Sequence, residues 1–336
     1  MKAVQGKLKK VLKGARKVAK TIAFYCLPSY RQGKFVEFRV DSLRKYIQTE
    51  IKLLDAKYQA LFWYTITREG ENISDTKQRF FHELPKAEGE LRDYQLKNLS
   101  ILTDVAQICS DNGLTFWLEG GSLLGAVRHD GFIPWDDDID INMPLDDVIR
   151  LKEIISTSDK YFFRNKYNYY LQCIIPGIQA KEAPEYFIDI FPMMQIDSQP
   201  LGFSATKRKI NDCCFKMRAE LREKIMPSPD DPEFIDMDNA KDPRVYKIKE
   251  IMSRYQEQLL TKGSTNCCYR ALSALNSPSG ADLFYLSDIF PLTVAKFEDG
   301  CFPVPRDAKH WLTTYYGEIY RIPLNVEPKH FKTKGE

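Results

Sequence analysis

The residues with the clearest capacity for chemistry lie in one segment, LEGGSLLGAVRHDGFIPWDDDIDINMP, at positions 118–144. A glycine pair and a serine precede a predicted short helix. Such a helix start suits an anion, because free backbone N–H groups and the positive end of the helix dipole converge there. The aspartates that follow suit divalent metal ions instead. Together the two features predict a metal-assisted phosphate site, since Mg²⁺ combines a few carboxylates with phosphate oxygens.

Two of the aspartates are candidate metal ligands and catalytic residues. Residues 139–143 alternate polar and aliphatic side chains, which predicts a strand and places Asp138 and Asp140 on one face, with Cα atoms about 6.6 Å apart. Carboxylates at that separation can flank metal ions about 3.5–4 Å apart, as in two-metal phosphoryl-transfer sites. Asp189, in the predicted strand YFIDIFP, is the candidate third ligand and the first candidate for a base.

The aspartates have two other interpretations, a solvated surface cluster and a calcium-binding loop. Aspartates also cluster on solvated faces. Asp136, Asp138 and Asp140 match the first three ligand positions of an EF-hand calcium loop, but Ile141 then stands where that loop requires glycine.

The candidate phosphate-binding residues are Gly120, Gly121, Ser122 and Arg128. Glycines let backbone N–H groups approach a phosphate, and the Ser122 hydroxyl either joins them or caps the helix. Arg128 could clamp a phosphate oxygen, and His129 could contact phosphate, move a proton or make a structural hydrogen bond. The segment lacks the Lys-Ser/Thr of a P-loop and a full G-x-G-x-x-G, so neither an ATPase nor a dehydrogenase is supported.

The charge of the chain is distributed unevenly. Its 336 residues sum to +3, yet residues 1–36 contain ten Lys or Arg and no acid. Within residues 1–30 the apolar side chains recur at helical spacing, which predicts a basic amphipathic helix. Such a helix suits an anionic membrane surface; docking on protein and organelle targeting are alternatives. Nucleic acid is not expected as a partner, because this arm lacks interleaved aromatics.

The rest of the chain predicts an α+β fold with a small mixed sheet. Helices are expected from Asp41 to about Gly70, from Leu91 to about Asn112 and over much of 204–262, with a polar linker at 71–85; strands are expected at 114–118, 139–143, 169–175 and 186–191. Eight cysteines without C-x-x-C spacing favour a reducing compartment and no zinc site. No segment approaches the ~20 apolar residues of a membrane span, so we expect a cytoplasmic protein, and the basic arm favours a peripheral position on the inner face of the membrane.

The segment GGSLLGAVRHDGFIPWDDDIDINMP resembles the signature of the LicD family, which includes fukutin-type proteins of the nucleotidyltransferase superfamily. YFIDIFP, FEDGCFPVP and YYGEIYRIP resemble its later motifs. The resemblance implies a polymerase-beta-like catalytic domain over 86–325, after the basic helix (1–30) and a helical extension with linker (31–85), and before a C-terminal tail (326–336). It also implies that Gly121 and Ser122 contact phosphates, while Asp138, Asp140 and Asp189 hold Mg²⁺, with Mn²⁺ as the alternative ion.

The resemblance further implies a reaction. A phospho-alcohol, typically phosphocholine, would pass from a CDP-linked donor such as CDP-choline to a hydroxyl of a glycan, in lipopolysaccharide, capsule or teichoic acid or in a lipid-linked precursor. Trp135 and Trp117 could face a choline ammonium, although core packing is the expected role for both. The alternatives are nucleotidyl transfer onto a small molecule or protein, and a catalytically silent role in glycan assembly.

Overall fold

The structure, a computed structural model, describes residues 28–199, 201–227, 234–260, 265–274, 283–323, 326 and 328, with side chains from residue 36 onward. The predicted basic helix at 1–30 therefore lies almost wholly outside the described residues. The chain divides into two compact units at Thr76 and Lys77.

The helices of the first unit differ from the sequence prediction. Helix α1 spans Pro28–Ile66 and passes through Asp41 without interruption, so the helix predicted to begin at Asp41 begins earlier. Helix α2 spans Ile73–His82, within the segment predicted as a linker, and crosses the unit boundary. The Asn72 side chain explains its start, because Oδ1 accepts a hydrogen bond from the Asp75 N–H at 3.0 Å in the manner of an N-cap.

The second unit is built on a mixed sheet of eight strands in the described part of the chain. The strands are β1 (Trp117–Leu118), β2 (Asp140–Pro144), β3 (Tyr161–Asn168), β4 (Cys173–Ala180), β5 (Phe187–Ile196), β6 (Phe234–Asp236), β7 (Cys267–Arg270) and β8 (Leu283–Tyr285). Their order is β1-β2-β5-β4-β3-β6, with β7 pairing β5 and β8. Only the β2–β5 pair is parallel among these pairings.

Helices and a hairpin complete this unit. The helices are α3 (Gly89–Asn112), α4 (Gly120–His129), α5 (Leu145–Ile155), α6 (Phe203–Lys224), α7 (Pro243–Glu257), α8 (Leu286–Ile289) and α9 (Ala308–Tyr316). Strands β9 (Thr293–Phe297) and β10 (Gly300–Val304) form the hairpin. One apolar core contains residues of α3, α4, α5, β2 and α9, and a second contains residues of α6 and α7.

The α+β class with a mixed sheet flanked by helices is confirmed, but the sheet is larger than expected. The predicted strand at 169–175 is only partly right, because residues 173–175 begin β4 but residues 169–172 form the turn between β3 and β4. The Asn168 side chain stabilises that turn by accepting hydrogen bonds from the N–H groups of Tyr170 at 2.8 Å and Leu171 at 2.9 Å. All seven cysteines within the described part are free. No helix in that part is both long and apolar enough to cross a membrane.

Candidate active site

The glycine pair at the start of α4 lies directly against two carboxylates. A Cβ atom placed on Gly120 would be 2.6 Å from Asp140 Oδ2, and one placed on Gly121 would be 2.1 Å from Asp136 Oδ2. Gly120 also has a φ of +52°, a left-handed conformation that favours glycine. Glycine is therefore needed at both positions to bring the acids to the N-terminus of the helix.

Three aspartates line the same cleft: Asp136, Asp138 and Asp140. One carboxylate oxygen from each of Asp136, Asp137 and Asp138 lies within 4.8 Å of the others. Burial raises the pKa of Asp140 well above its ordinary value, and the negative charges of Asp138, Asp189, Asp136 and Glu119 raise it further. Like charges gathered in this way are stabilised by a cation.

Asp189 lies beside Asp140, as its strand position predicted. In the parallel β2–β5 pair the two residues are direct partners, and the Asp189 N–H donates to the Ile139 carbonyl at 2.8 Å. Its carboxylate forms an ion pair with Arg164. Asp189 is not among the residues that line the cleft.

Ser122 ties the helix to the strand that carries Asp140. Its Oγ accepts a hydrogen bond from the Asp140 N–H at 3.0 Å, and the residue is buried. Glu119 occupies the N-cap position, so the alternative of Ser122 as the cap is wrong. Ser122 and Gly120 do not line the cleft, whereas Gly121 does.

Arg128 and His129 have different surroundings. Arg128 lines the cleft, donates to the Ile319 carbonyl at 2.7 Å and lies over the Phe81 ring. Burial lowers the pKa of Arg128 to about 10, so it is still a cation at neutral pH. His129 does not line the cleft; burial, with Arg128 and His82 nearby, lowers its pKa to about 3. Its imidazole is therefore neutral and a weak base at pH 7.

A buried polar network supports the helix start from behind. The Glu119 carboxylate accepts hydrogen bonds from Arg270 at 2.9 Å, from the Trp311 indole at 2.8 Å and from the Asn142 amide. Arg270 also lies over the Phe191 ring. The sequence prediction missed this network. Asn142 carried a signal, because it continues the alternation of Asp138 and Asp140 into β2, which begins at Asp140.

The other side of the cleft is formed by the segment after α9. The cleft has a volume of about 530 Å³ and, besides the residues above, is lined by Leu124, Ile133, Trp135, Tyr316, Glu318, Ile319, Arg321, Ile322 and Pro323. Burial raises the pKa of Tyr316, and so do the charges of nearby acids, Glu119 foremost. Trp135 thus lies in the cleft, whereas Trp117 packs fully buried in the core, as expected for that side chain.

The donor set of the cleft fits a hard divalent cation. Its acids offer carboxylate oxygens, which Mg²⁺ and Mn²⁺ prefer. Two of these carboxylates occupy the space beside Gly120 and Gly121, and a side chain at either position would displace them. Asp138 and Asp140 face the cleft together, and Asp136 joins them, although it was not among the predicted ligands.

Comparison with known proteins shows which protein family the site residues match. Residues 113–221, which include the glycine pair, the cleft aspartates and Asp189, match the family described as LicD/FKTN/FKRP, nucleotidyltransferase domain. The chain is also 24% identical over 255 residues to the lipopolysaccharide cholinephosphotransferase LicD of Haemophilus influenzae, covering 71% of this chain and 94% of that protein. The similarity to the LicD family therefore covers residues 113–221, about a third of the chain.

Two further relatives match over shorter segments. The human ribitol 5-phosphate transferase FKRP is 61% identical over 36 residues, 11% of this chain and 7% of FKRP. An uncharacterised protein of Rickettsia typhi is 38% identical over 68 residues, about a fifth of each chain.

Proposed function

We propose that this protein is a metal-dependent transferase that moves a phospho-alcohol from a CDP-linked donor to a hydroxyl of a glycan or its lipid-linked precursor. The catalytic domain would extend over residues 86–325 and have a polymerase-beta-like core. The observation that carries the proposal is the convergence, in one cleft, of three aspartates, the N-terminus of α4 and the Arg128 guanidinium. The cholinephosphotransferase and ribitol-phosphate transferase names of two relatives support the same reaction class.

The proposed donor site uses both charge types in the cleft. Asp138 and Asp140, with Asp136, would hold Mg²⁺ or Mn²⁺, which neutralises charge on the donor's diphosphate during transfer. Arg128 would bind phosphate oxygens, and Arg321 lines the same cleft. Gly121 would offer its backbone N–H, while Gly120 and Ser122 would shape the turn that presents it.

In the proposed reaction the acceptor hydroxyl oxygen forms a bond to the phosphorus that carries the alcohol. The bond from that phosphorus to the bridging oxygen breaks, and CMP leaves. Asp189 is the proposed base or third metal ligand, because it is the direct partner of Asp140 in the parallel β2–β5 pair. His129 is the second candidate for the base and the weaker one, because its pKa is lowered to about 3 and it does not line the cleft.

The proposed alcohol is choline. A quaternary ammonium is stabilised by aromatic faces, each contributing about 0.5–2 kcal/mol. Trp135 and Tyr316 are the aromatic side chains that line the cleft, and Glu318 adds a negative charge to the same wall.

The test identifies the products formed by the purified full-length protein from CDP-choline and a glycan acceptor with Mg²⁺. We expect CMP and a phosphocholine-modified glycan, and no turnover after chelation of the metal. Release of pyrophosphate from a nucleoside triphosphate, with nucleotide attached to the acceptor, would instead favour nucleotidyl transfer. An unchanged cellular glycan in an Asp138→Ala strain would favour a catalytically silent role.

The proposed location is the inner face of the cytoplasmic membrane, where lipid-linked glycan precursors are accessible. Its support is the basic, acid-free sequence of residues 1–30. In a flotation assay with anionic vesicles, removal of residues 1–30 is expected to abolish binding. Equal flotation with and without them would contradict this location.

A further inference from the structure

Helix α3 carries two buried amide side chains, Gln95 and Asn98, each fully excluded from solvent. They are three residues apart and therefore neighbours on the helix surface. A buried amide is unfavourable unless its donors and acceptors are satisfied, so its partners show what it holds in place.

The N–H groups of both amides donate to main-chain carbonyls of the acidic loop before β2, while the Gln95 oxygen accepts from Arg92 at 3.1 Å. Gln95 Nε2 donates to the Asp136 carbonyl at 2.7 Å and to the Ile133 carbonyl at 3.4 Å. Asn98 Nδ2 donates to the Asp137 carbonyl at 3.1 Å. Successive main-chain carbonyls of the loop are thus bound to one helix.

Asn98 also connects this loop to the second acid-bearing strand. Its Oδ1 accepts a hydrogen bond from the Phe187 N–H at 3.0 Å, at the beginning of β5 and two residues before Asp189. One side chain therefore sets the loop and the strand relative to each other.

A third attachment fixes the beginning of the loop. Arg92, three residues before Gln95 on the same helix, donates two hydrogen bonds to the buried Glu298 carboxylate, at 3.0 and 2.6 Å. Glu298 in turn accepts from the Phe132 N–H at 3.1 Å. A Cβ atom on Gly131 would lie 2.5 Å from Glu298 Oε1, so the carboxylate packs against the turn.

We propose that Gln95 and Asn98 are positioning residues for the acidic cleft. By holding the main-chain carbonyls of Asp136 and Asp137 they fix the direction of the loop's carboxylates relative to α4 and Asp140. This inference rests on the proposed function in one respect, that these carboxylates hold a divalent cation.

The test measures Mn²⁺ binding to the full chain without donor or acceptor, by calorimetry or by electron paramagnetic resonance of free Mn²⁺. Asn98→Asp keeps an oxygen that can accept from the Phe187 N–H but removes the N–H group that donates to the Asp137 carbonyl. Gln95→Met keeps the length of the side chain without its amide. Each variant is expected to raise the Mn²⁺ Kd 10- to 100-fold, the usual effect of losing a group that orients metal ligands.

Two control variants on the same helix separate positioning from stability and charge. Ile101→Val removes one methylene from the buried core and no hydrogen bond to the loop. Gln107→Glu adds a negative charge at an exposed position and removes only a surface hydrogen bond to Asp111. Both are expected to keep the wild-type Kd when all proteins are measured below their melting temperatures.

The possible outcomes distinguish this inference from the proposed function. Wild-type Mn²⁺ affinity in folded Asn98→Asp and Gln95→Met would overturn the positioning role while the proposed function stands. An equal loss of affinity in Ile101→Val would also overturn it. If the wild-type protein bound no Mn²⁺, the metal site and the positioning role would both fail. Should Asn98→Asp not fold, Gln95→Met decides alone.

Discussion

The contact between Gly121 and Asp136 makes Gly121→Ala the sharpest single perturbation of the site. The new Cβ atom would be 2.1 Å from Asp136 Oδ2, whereas ordinary contact begins at 3.4 Å. The carboxylate must therefore retreat by about 1.3 Å. A displacement of about 1 Å at a catalytic constellation can cost about 100-fold in rate. We expect kcat for CMP release to fall by about that factor.

The same change should leave the fold intact. Gly121 lies in the first turn of α4, where alanine is favoured over glycine by up to about 1 kcal/mol. The free energy of unfolding, measured with urea, is therefore expected not to fall. The matched control is Gly113→Ala, at the left-handed C-cap of α3, where no atom lies within 4 Å of the added Cβ. That control should lose about 1–2 kcal/mol of stability and keep the wild-type kcat. A Gly121→Ala enzyme with wild-type kcat would refute the reasoning.

Three further predictions follow from the buried charges. Glu119→Gln leaves the buried Arg270 guanidinium without its anion, so a loss of about 3–5 kcal/mol in urea unfolding is expected, and a loss below about 1 kcal/mol would contradict it. The pKa of Glu298 is lowered from 4.5 to about 2, because the hydrogen bonds from Arg92 outweigh the opposing effect of burial. Above pH 4.5 the free energy of unfolding is therefore expected to be about 3 kcal/mol higher for wild type than for Glu298→Gln, and this difference should disappear toward pH 2. A difference that stays constant across that range would contradict the prediction. Burial and the neighbouring acids raise the pKa of Asp140, so this carboxyl group destabilises the metal-free fold at neutral pH. Asp140→Asn should therefore unfold at higher urea concentration yet lose Mg²⁺-dependent turnover, and retained turnover would exclude Asp140 from the site.

Local patterns carried the sequence prediction of the acid-bearing strands. The alternation at 139–143 predicted β2, and YFIDIFP predicted the strand that became β5, because both depend on neighbouring residues alone. The turn at 169–172 escaped prediction, since the Asn168 side chain stabilises it without a glycine or a proline. Helix α2 was not predicted because residues 71–85 are mostly polar, although Phe81 among them is buried.

The supporting contacts of the site could not be predicted from the sequence. Glu119 and Arg270 are 151 residues apart, and Arg92 and Glu298 are 206 apart. Such pairs depend on how the sheet brings distant segments together. No spacing rule indicates them before the fold is known.

The central claim is that aspartates at the N-terminus of α4 hold a divalent cation beside the donor's diphosphate. A crystal structure of the full chain with CDP-choline and Mn²⁺, using the anomalous signal of the ion, tests it most directly. We expect an ion about 2.0–2.2 Å from oxygens of Asp138, Asp140 and the diphosphate, with Arg128 beside the phosphates. Donor and ion bound elsewhere, with those carboxylates turned to solvent, would contradict it.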